Sequence, residues 1–236
     1  MKVHSLHRWK VEYHGAVAIQ ERLRRRLILR ASPGLAEKAE LLVGGADIAY
    51  SKSTNRLFAA VVVLRYPGPR SRKEPAVVET QTGSGVATFP YIPGLLSFRE
   101  IPVLAEVLRR VESEPDVVML DGQGTAHPRG FGLACHIGMM LDRPTVGCAK
   151  SRLCGEHKPV PRRAGSRAPL LLEGEEIGTV LRTHTGINPL YISPGHRMDL
   201  DTAERIVMRC RGHYRVPDPT RRAHLLVTEM RTRHLG

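Results

Sequence analysis

Two aspartates stand where a folding chain has reason to avoid them. Asp47 interrupts the apolar run "GGADIAY", and Asp121 closes the run "VVMLDGQG". A charged group within or at the end of a buried strand is costly unless it is paired or holds a metal. Taken singly, either aspartate could cap a turn. Taken together they point to one site, on the condition that the two runs become neighbouring strands. Two unpaired carboxylates close together repel, whereas Mg²⁺ or Mn²⁺ between them removes the repulsion and takes oxygen ligands readily. Gly122 and Gly124 of "DGQG" let a ligand approach the backbone closely. A divalent cation bridging to a phosphate is the natural occupant, so the chemistry within reach is metal-assisted cleavage of a phosphodiester.

The charge of the whole chain agrees with such a substrate. Thirty-six Lys and Arg against 23 Asp and Glu give a formal net charge of +13, and the pI is near 10.2. A balance this basic favours a polyanionic partner, either nucleic acid or an anionic membrane surface. Cys135, Cys148, Cys154 and Cys210 show neither a CxxC pair nor metal-finger spacing, so reduced, buried thiols and a cytoplasmic location are expected. "MKVHSLHRWKVEYHG" contains no secretory core, and no apolar run approaches the ~18 residues of a membrane span. A soluble monomer is the expectation. Its 236 residues suit a single domain over 1–236.

The elements that must position the aspartates follow from periodicity. "GAVAIQERLRRRLILRAS" carries Ala16, Ile19, Leu23 and Leu27 at helical spacing, with arginines over the rest of its circumference. "LLVGGADIAYS", "RLFAAVVVLRY" and "PAVVETQTG" read as three strands joined by short turns such as "KSTN", an antiparallel meander. "FREIPVLAEVLRRVE" is helical, "PDVVMLDG" a buried strand, "FGLACHIGMMLD" a helix and "RPTVGCAKS" a further strand. That β-α-β unit calls for parallel pairing with a right-handed crossover. Two more strand-like runs, "APLLLEGEEIGTVLRTH" and "NPLYISPG", precede helices at "DLDTAERIVMRCR" and "DPTRRAHLLVTEMRTRH". The predicted fold class is α/β: a three-strand meander followed by parallel β-α-β-α, a mixed sheet with helices on its faces. Ligands of such sheets gather at the carboxyl ends of the parallel strands, where Asp121 lies. "PGPRSRKEP" (67–75) and "KPVPRRAGSRAP" (158–169) read as exposed basic loops that extend a nucleic-acid groove or merely solvate the surface.

The run "DVVMLDGQGTAHPRGFGLACHIGMMLDRPTVGCAKSRLCG" closely resembles the central block of the endonuclease V family. "PYIPGLLSFRE", "GGADIAY" and "SPGHRMD" resemble that family's other signatures in the same order, so the likeness spans about residues 15 to 230. The resemblance implies an RNase H-like fold and a Mg²⁺-dependent endonuclease of DNA repair. It also implies cutting one phosphodiester beyond deoxyinosine, on the 3′ side, with Mn²⁺ as a substitute metal. Asp47 and Asp121 become metal ligands by that resemblance, and Glu100 a third acid near the metal. Glu100 would bind a second metal or a metal-bound water, or else complete an S-x-x-E capping box with Ser97. The resemblance also assigns His224 of "PTRRAHLL" and Lys150 of "CAKSRL" to the active site. His224 would orient water or protonate a leaving group. Lys150 would contact a phosphate, a structural salt bridge being the alternative.

A metal site can cut any phosphodiester, so selectivity requires that the modified base be lifted from the stack and inspected. Backbone groups at Gly94, Gly122 and Gly124 are candidates to read hypoxanthine. Tyr91 is the candidate wedge for the gap left behind, with Pro90, Ile92 and Pro93 as substrate-binding candidates beside it and the prolines making its loop rigid. The alternative for Tyr91 is a core position. His127 of "TAHPRG" would meet the substrate or be satisfied by backbone groups, and His196 of "SPGH" is structural or DNA-adjacent. Three other functions fit parts of the pattern: an inosine-specific ribonuclease on the same site, a non-catalytic nucleic-acid binder, and a phosphotransferase on a related core. Retention of Asp47, Glu100 and Asp121 together argues against a mere binder. The absence of a second nucleotide-phosphate loop argues against the phosphotransferase.

Overall fold

In the strand β2 (Arg56–Pro67), residues 57 to 64 are buried without a break. An unbroken run of this kind is stable only where both faces of a sheet are covered. A computed structural model shows how; it describes residues 1–51, 54–68, 71 and 73–235. Phe58, Ala60, Val62 and Leu64 pack with Ile206, Val207, Ala223 and Val227 of two C-terminal helices, α4 (Leu200–Arg209) and α5 (Asp218–Leu235). The alternating set Leu57, Ala59, Val61 and Val63 packs with Ile101, Leu104 and Leu108 of α2 (Leu96–Arg110) and Ile137 of α3 (Leu133–Leu141). Period-two alternation thus divides one apolar strand between two cores.

Eight strands form one sheet in the order β3-β2-β1-β4-β5-β8-β7-β6. β1 (Glu40–Tyr50), β2 and β3 (Ala76–Val86) are the expected antiparallel meander. β4 (Val117–Leu120) lies parallel to β1, and β5 (Thr145–Ala149) parallel to β4. The first and fourth strands are therefore neighbours, which was the condition for a shared aspartate site.

Beyond β5 the structure departs from the sequence reading. "APLLLEGEEIGTVLRTH" forms two strands, β6 (Arg167–Leu172) and β7 (Glu175–Leu181), rather than one run. Glu173 and Gly174 reverse the chain with φ of 53° and 86°, the left-handed pair that a two-residue hairpin requires. β8 (Leu190–Pro194) runs antiparallel to β5 and β7, so parallel pairing is confined to β1, β4 and β5. The register aligns Ala149 with Tyr191, Leu190 with Leu181, and Leu181 with Arg167. As a result the start of β6 and the end of β7 lie on the same edge of the sheet as the carboxyl end of β5.

The first helix, α1 (Tyr13–Arg24), stops short of the amphipathic pattern. Past it, the backbone N–H of Ile28 donates to His196 Nδ1 at 3.3 Å and that of Ala31 to Asp199 Oδ2 at 3.0 Å. These side-chain acceptors replace the helical carbonyls, and His196 is a buried structural partner of this segment. Ser97 does not cap α2, whose N-cap is Leu95 without a side-chain bond. It is buried in the first turn, 3.2 Å from His136 Nδ1. Burial pushes the Cys135 thiol up to about 12, and Cys148 and Cys210 are also buried and free. No helix among the described residues is long and apolar enough to cross a membrane. Residues 69, 70 and 72 of the first basic loop, and 52 and 53 of the "KSTN" turn, lie outside the described residues.

Candidate active site

Three adjacent parallel strands deliver their terminal side chains to one place. Val43 on β1, Met119 on β4 and Cys148 on β5 all face α4 and α5. Two residues further on, at Gly45 and then Asp47, at Asp121 and at Lys150, the same parity holds. Ala46 is in register with Leu120, and the N–H of Asp121 donates to the Ala46 carbonyl at 3.2 Å, so the two aspartates sit side by side.

The helix α5 reaches this point because Gly45 has no side chain. A Cβ there would lie 2.0 Å from the Pro219 carbonyl carbon and 2.5 Å from the Thr220 nitrogen. Seated on that glycine, α5 carries His224 over β1, where its Nδ1 donates to Asp47 Oδ2 at 2.7 Å. The other Asp47 oxygen accepts from the Ile48 N–H at 2.8 Å. Lys150 Nζ pairs with Asp121 Oδ2 at 2.5 Å and lies 3.4 Å from His224 Nδ1. The shorter contact decides the His224 tautomer, with the Nδ1 proton directed at Asp47.

Metal ligation by this cluster has a geometric basis. Ligand atoms of Asp47, Asp121 and His224 all lie within 4.8 Å of one another. Burial and the Asp47 charge push the Asp121 carboxyl upward, against the pull of Lys150 and His224. Glu100 on α2 is partly exposed as a residue, but its carboxyl is densely surrounded by protein. Burial first, then Asp47 and Asp121, raise it to about 8 against the opposing charge of Arg99. Lys150 and Arg99 offset this crowding of acids only in part, and a hard divalent cation with oxygen ligands would offset the rest. The donor set therefore fits the expected metal.

A cavity of about 620 Å³ runs from Tyr91, Pro93 and Gly94 past Glu100, Asp121 and Gly122 to Lys150 and Leu153. Tyr91 is 59% exposed, which rules out a core position. Its neighbours explain why: Phe89 and Leu95 are buried with Ala16 and Phe98, and Ile92 packs against them, leaving Tyr91 on the outer side of an anchored loop. Pro90 and Pro93 are exposed beside it. Arg99 Nη1 ties the Phe89 carbonyl to α2 at 2.8 Å.

The three candidate glycines differ in what they offer. Gly94, at φ 78°, gives its carbonyl to Gln20 Nε2 at 3.0 Å, His127 Nε2 at 2.9 Å and Arg129 Nη2 at 2.6 Å, so that oxygen braces the loop. Gly122 lines the cavity. Gly124 does not line it: its N–H donates to Ser193 Oγ at 2.9 Å, and a Cβ would lie 2.0 Å from the Pro194 carbonyl oxygen. It is a close-packing position behind the wall. His127 lines the cavity but is satisfied by backbone groups, with Nε2–H donating to Gly94 and Nδ1 accepting from the Arg129 N–H at 3.2 Å. Burial and then the Arg129 charge lower it to about 4, which keeps it neutral.

The structure adds wall residues that sequence reasoning missed. Tyr50, 43% exposed, stands on the wall three residues after Asp47. Gln20 is buried and bridges Gly94, Phe131 and Arg129. Its signal was visible, a polar residue on the apolar stripe of Ala16 and Leu23.

Comparison with known proteins agrees with the geometry. Residues 22–225 match the family model described as Endonuclease V. An endonuclease V of Myxococcus xanthus is 47% identical over 226 residues, covering 95% of this chain and 92% of the relative. The crystal structure of endonuclease V from Streptomyces avermitilis superposes with a TM-score of 0.86 at 36% identity, covering all of both chains. Endonuclease V of Ciona intestinalis, solved in complex with a 24mer DNA containing an inosine followed by a ribo-adenosine, gives a TM-score of 0.74 at 25% identity. That alignment covers 92% of this chain and 96% of the Ciona chain. The sheet order and flanking helices of this chain are RNase H-like, as in these neighbours.

Proposed function

This chain belongs to the endonuclease V family of nucleases, and from that premise we propose that its cavity performs Mg²⁺-dependent cleavage of DNA at deoxyinosine, one phosphodiester beyond the lesion on the 3′ side. The observation that carries this reading is the convergence of Asp47, Asp121 and His224 within 4.8 Å, with Asp121 on the wall of a cavity that Glu100 and Tyr91 also line. The inosine-containing DNA bound by the Ciona relative supports the choice of substrate.

Asp47 and Asp121 would hold the cation, with Glu100 as a further acidic ligand. A divalent cation bound there would neutralise charge on the phosphoryl oxygens and make water a stronger acid. His224 fixes Asp47 through Nδ1–H, leaving the Nε2 lone pair to orient water and take its proton, which the resulting imidazolium can then pass to the leaving oxygen. Lys150 restrains Asp121 and supplies a mobile positive charge for a phosphate oxygen. Tyr91, on its braced loop, fills the stack as the base swings out, and the small cost of ordering a rigid loop favours this role. Gly122 is the glycine best placed to read the base edge. The protein acts as a single-domain monomer.

A strand with one inosine, offered as single- and double-stranded DNA and RNA, tests the reading. The expected product maps one phosphodiester 3′ of inosine in DNA with Mg²⁺ present, and the adenine strand stays intact. Binding without product under any divalent ion would make the protein a binder only. A preference for the RNA strands would make it an inosine-specific ribonuclease.

Two further outcomes separate the parts of the site. Tyr91→Ala is expected to weaken inosine binding by roughly 5-fold to 150-fold, the range of one base-stacking contact of ~1–3 kcal/mol, with an unaltered Mg²⁺ midpoint. Glu100→Ala is expected to shift that midpoint and leave inosine binding in EDTA intact. Equal movement of the midpoint in both would make the loop mere scaffold. The second outcome concerns pH. Because the folded protein raises Glu100 to about 8, ionising it costs the metal-free fold stability as pH climbs from the ordinary carboxylate range through 8. Mg²⁺ should therefore raise Tm more at pH 9 than at pH 6. Equal increments at both would contradict the role of Glu100.

A further inference from the structure

We infer that the ordered basic loop 158–166 is a docking shelf for the 3′ arm of the cut strand, a role that rests on the reading of 3′-side cleavage above. The loop is built, not loose. The Arg182 guanidinium donates to the carbonyls of Pro161 at 2.6 Å, Val160 at 2.9 Å and Ile187. The N–H of Gly186 donates to the Arg162 carbonyl at 2.8 Å, that of Gly165 to the Arg182 carbonyl at 2.8 Å, and that of Ala164 to Thr185 Oγ1 at 3.1 Å. Val160 packs against Ala126, Leu170 and Val180. One arginine is thus used internally to hold the segment, while Arg162 and Arg163 stand exposed on it.

Charge pairing leaves the arginines of the loop open to a phosphate, and its order and place on the sheet edge set it apart from other basic surface. Arg65, Arg109, Arg143, Arg167, Arg197 and Arg205 each meet a carboxylate. Among the described residues, Arg152, Arg162 and Arg163 have no ion pair, a property shared with the exposed Arg22, Arg24, Arg25, Arg26 and Arg30. A preordered, unpaired cationic surface binds phosphate with little ordering cost and no competing carboxylate.

Position gives the shelf its polarity. Tyr91 leads into α2, which covers β2 on one side of the aspartates. The cavity continues on the other side through Lys150 to Arg152 and Leu153. From there the register carries the same sheet edge through Tyr191 and Leu181 to Arg167, the residue that follows the loop. Three strand spacings of ~4.8 Å put the loop about 14 Å past β5, or about four stacked nucleotides at 3.4 Å each. A strand whose base lies at Tyr91 and whose scissile phosphate lies at the aspartates then reaches the loop with its 3′ arm.

The test measures binding of the full chain in EDTA by fluorescence anisotropy, using inosine strands whose 3′ or 5′ arm is either ten nucleotides or two. Arg162→Ala/Arg163→Ala is expected to reduce affinity for the long 3′ arm and to flatten the slope of log K against log[salt] by about 1.4 to 1.8, the release expected for two phosphate contacts. With the 3′ arm cut to two nucleotides, variant and wild type should bind alike, whatever the 5′ arm. Arg162→Lys/Arg163→Lys should retain the salt slope. An unchanged affinity, a loss independent of 3′ arm length, or a loss that follows the 5′ arm would overturn the shelf. Wild-type protein that neither binds nor cuts inosine strands would instead sink the functional reading.

Discussion

Asp121→Ala is expected to lower the rate of inosine-strand cleavage by roughly 10³-fold, the scale on which removal of one preorganised charge-stabilising group acts. The same change should make the metal-free protein more stable, not less. Asp121 is held above its ordinary range by burial and by Asp47, and it adds to the upward push on Glu100. Removing it relieves both repulsions, while Lys150, 35% exposed at its side chain, turns to solvent at small cost. Thermal melts in EDTA and in Mg²⁺ read the two effects apart. The variant should melt above wild type in EDTA and lose most of the Mg²⁺-dependent gain. Wild-type cleavage by Asp121→Ala, or an undiminished Mg²⁺ gain, would remove Asp121 from the metal site.

Gly45→Ala is expected to destabilise the fold by about 3 kcal/mol, at the upper end of the usual cost of overpacking. The added methyl would sit 2.0 Å from the Pro219 carbonyl carbon and 2.1 Å from its oxygen. Backbone cannot rotate away as a side-chain tip can, so α5 must lift or β1 must bend. Either movement separates His224 Nδ1 from Asp47 Oδ2, now 2.7 Å apart, and activity should fall together with stability. Gly44→Ala is the control, because a Cβ there finds its nearest neighbours, on Pro115 and Val118, at 3.6 to 3.7 Å, ordinary contact distances. Equal stability of the two variants in urea would mean that α5 is not seated on Gly45.

Much of the site was legible in the chain. Asp47 and Asp121 were conspicuous because a carboxylate in an apolar run demands a reason, and period-two parity then sends both to one face. The proline-braced Tyr91 was legible as a rigid loop, though its 59% exposure follows from burial of Phe89 and Leu95 on the opposite side. Less could be read where distant segments meet. Gly94 and Gly124 look alike as glycines in loops, yet the Gly94 carbonyl braces Gln20, His127 and Arg129, and Gly124 is pressed against Pro194. The S-x-x-E spacing at Ser97 had the form of a cap, but packing turned Ser97 toward His136 and left Glu100 to the cavity.

Strand and helix periods, the turn residues, the net charge and the identity of the acids belong to the sequence alone, because each is set by neighbours within a few residues along the chain. Which strands lie side by side belongs to the tertiary structure, as do the hairpin that makes β6 and β7 antiparallel, the seating of α5 on Gly45 and the raised Glu100 carboxyl. Each of those depends on atoms brought together from remote parts of the chain. Close approach and exclusion of water are properties of the packed whole, and they bring two conspicuous aspartates together in the cluster proposed to hold a cation.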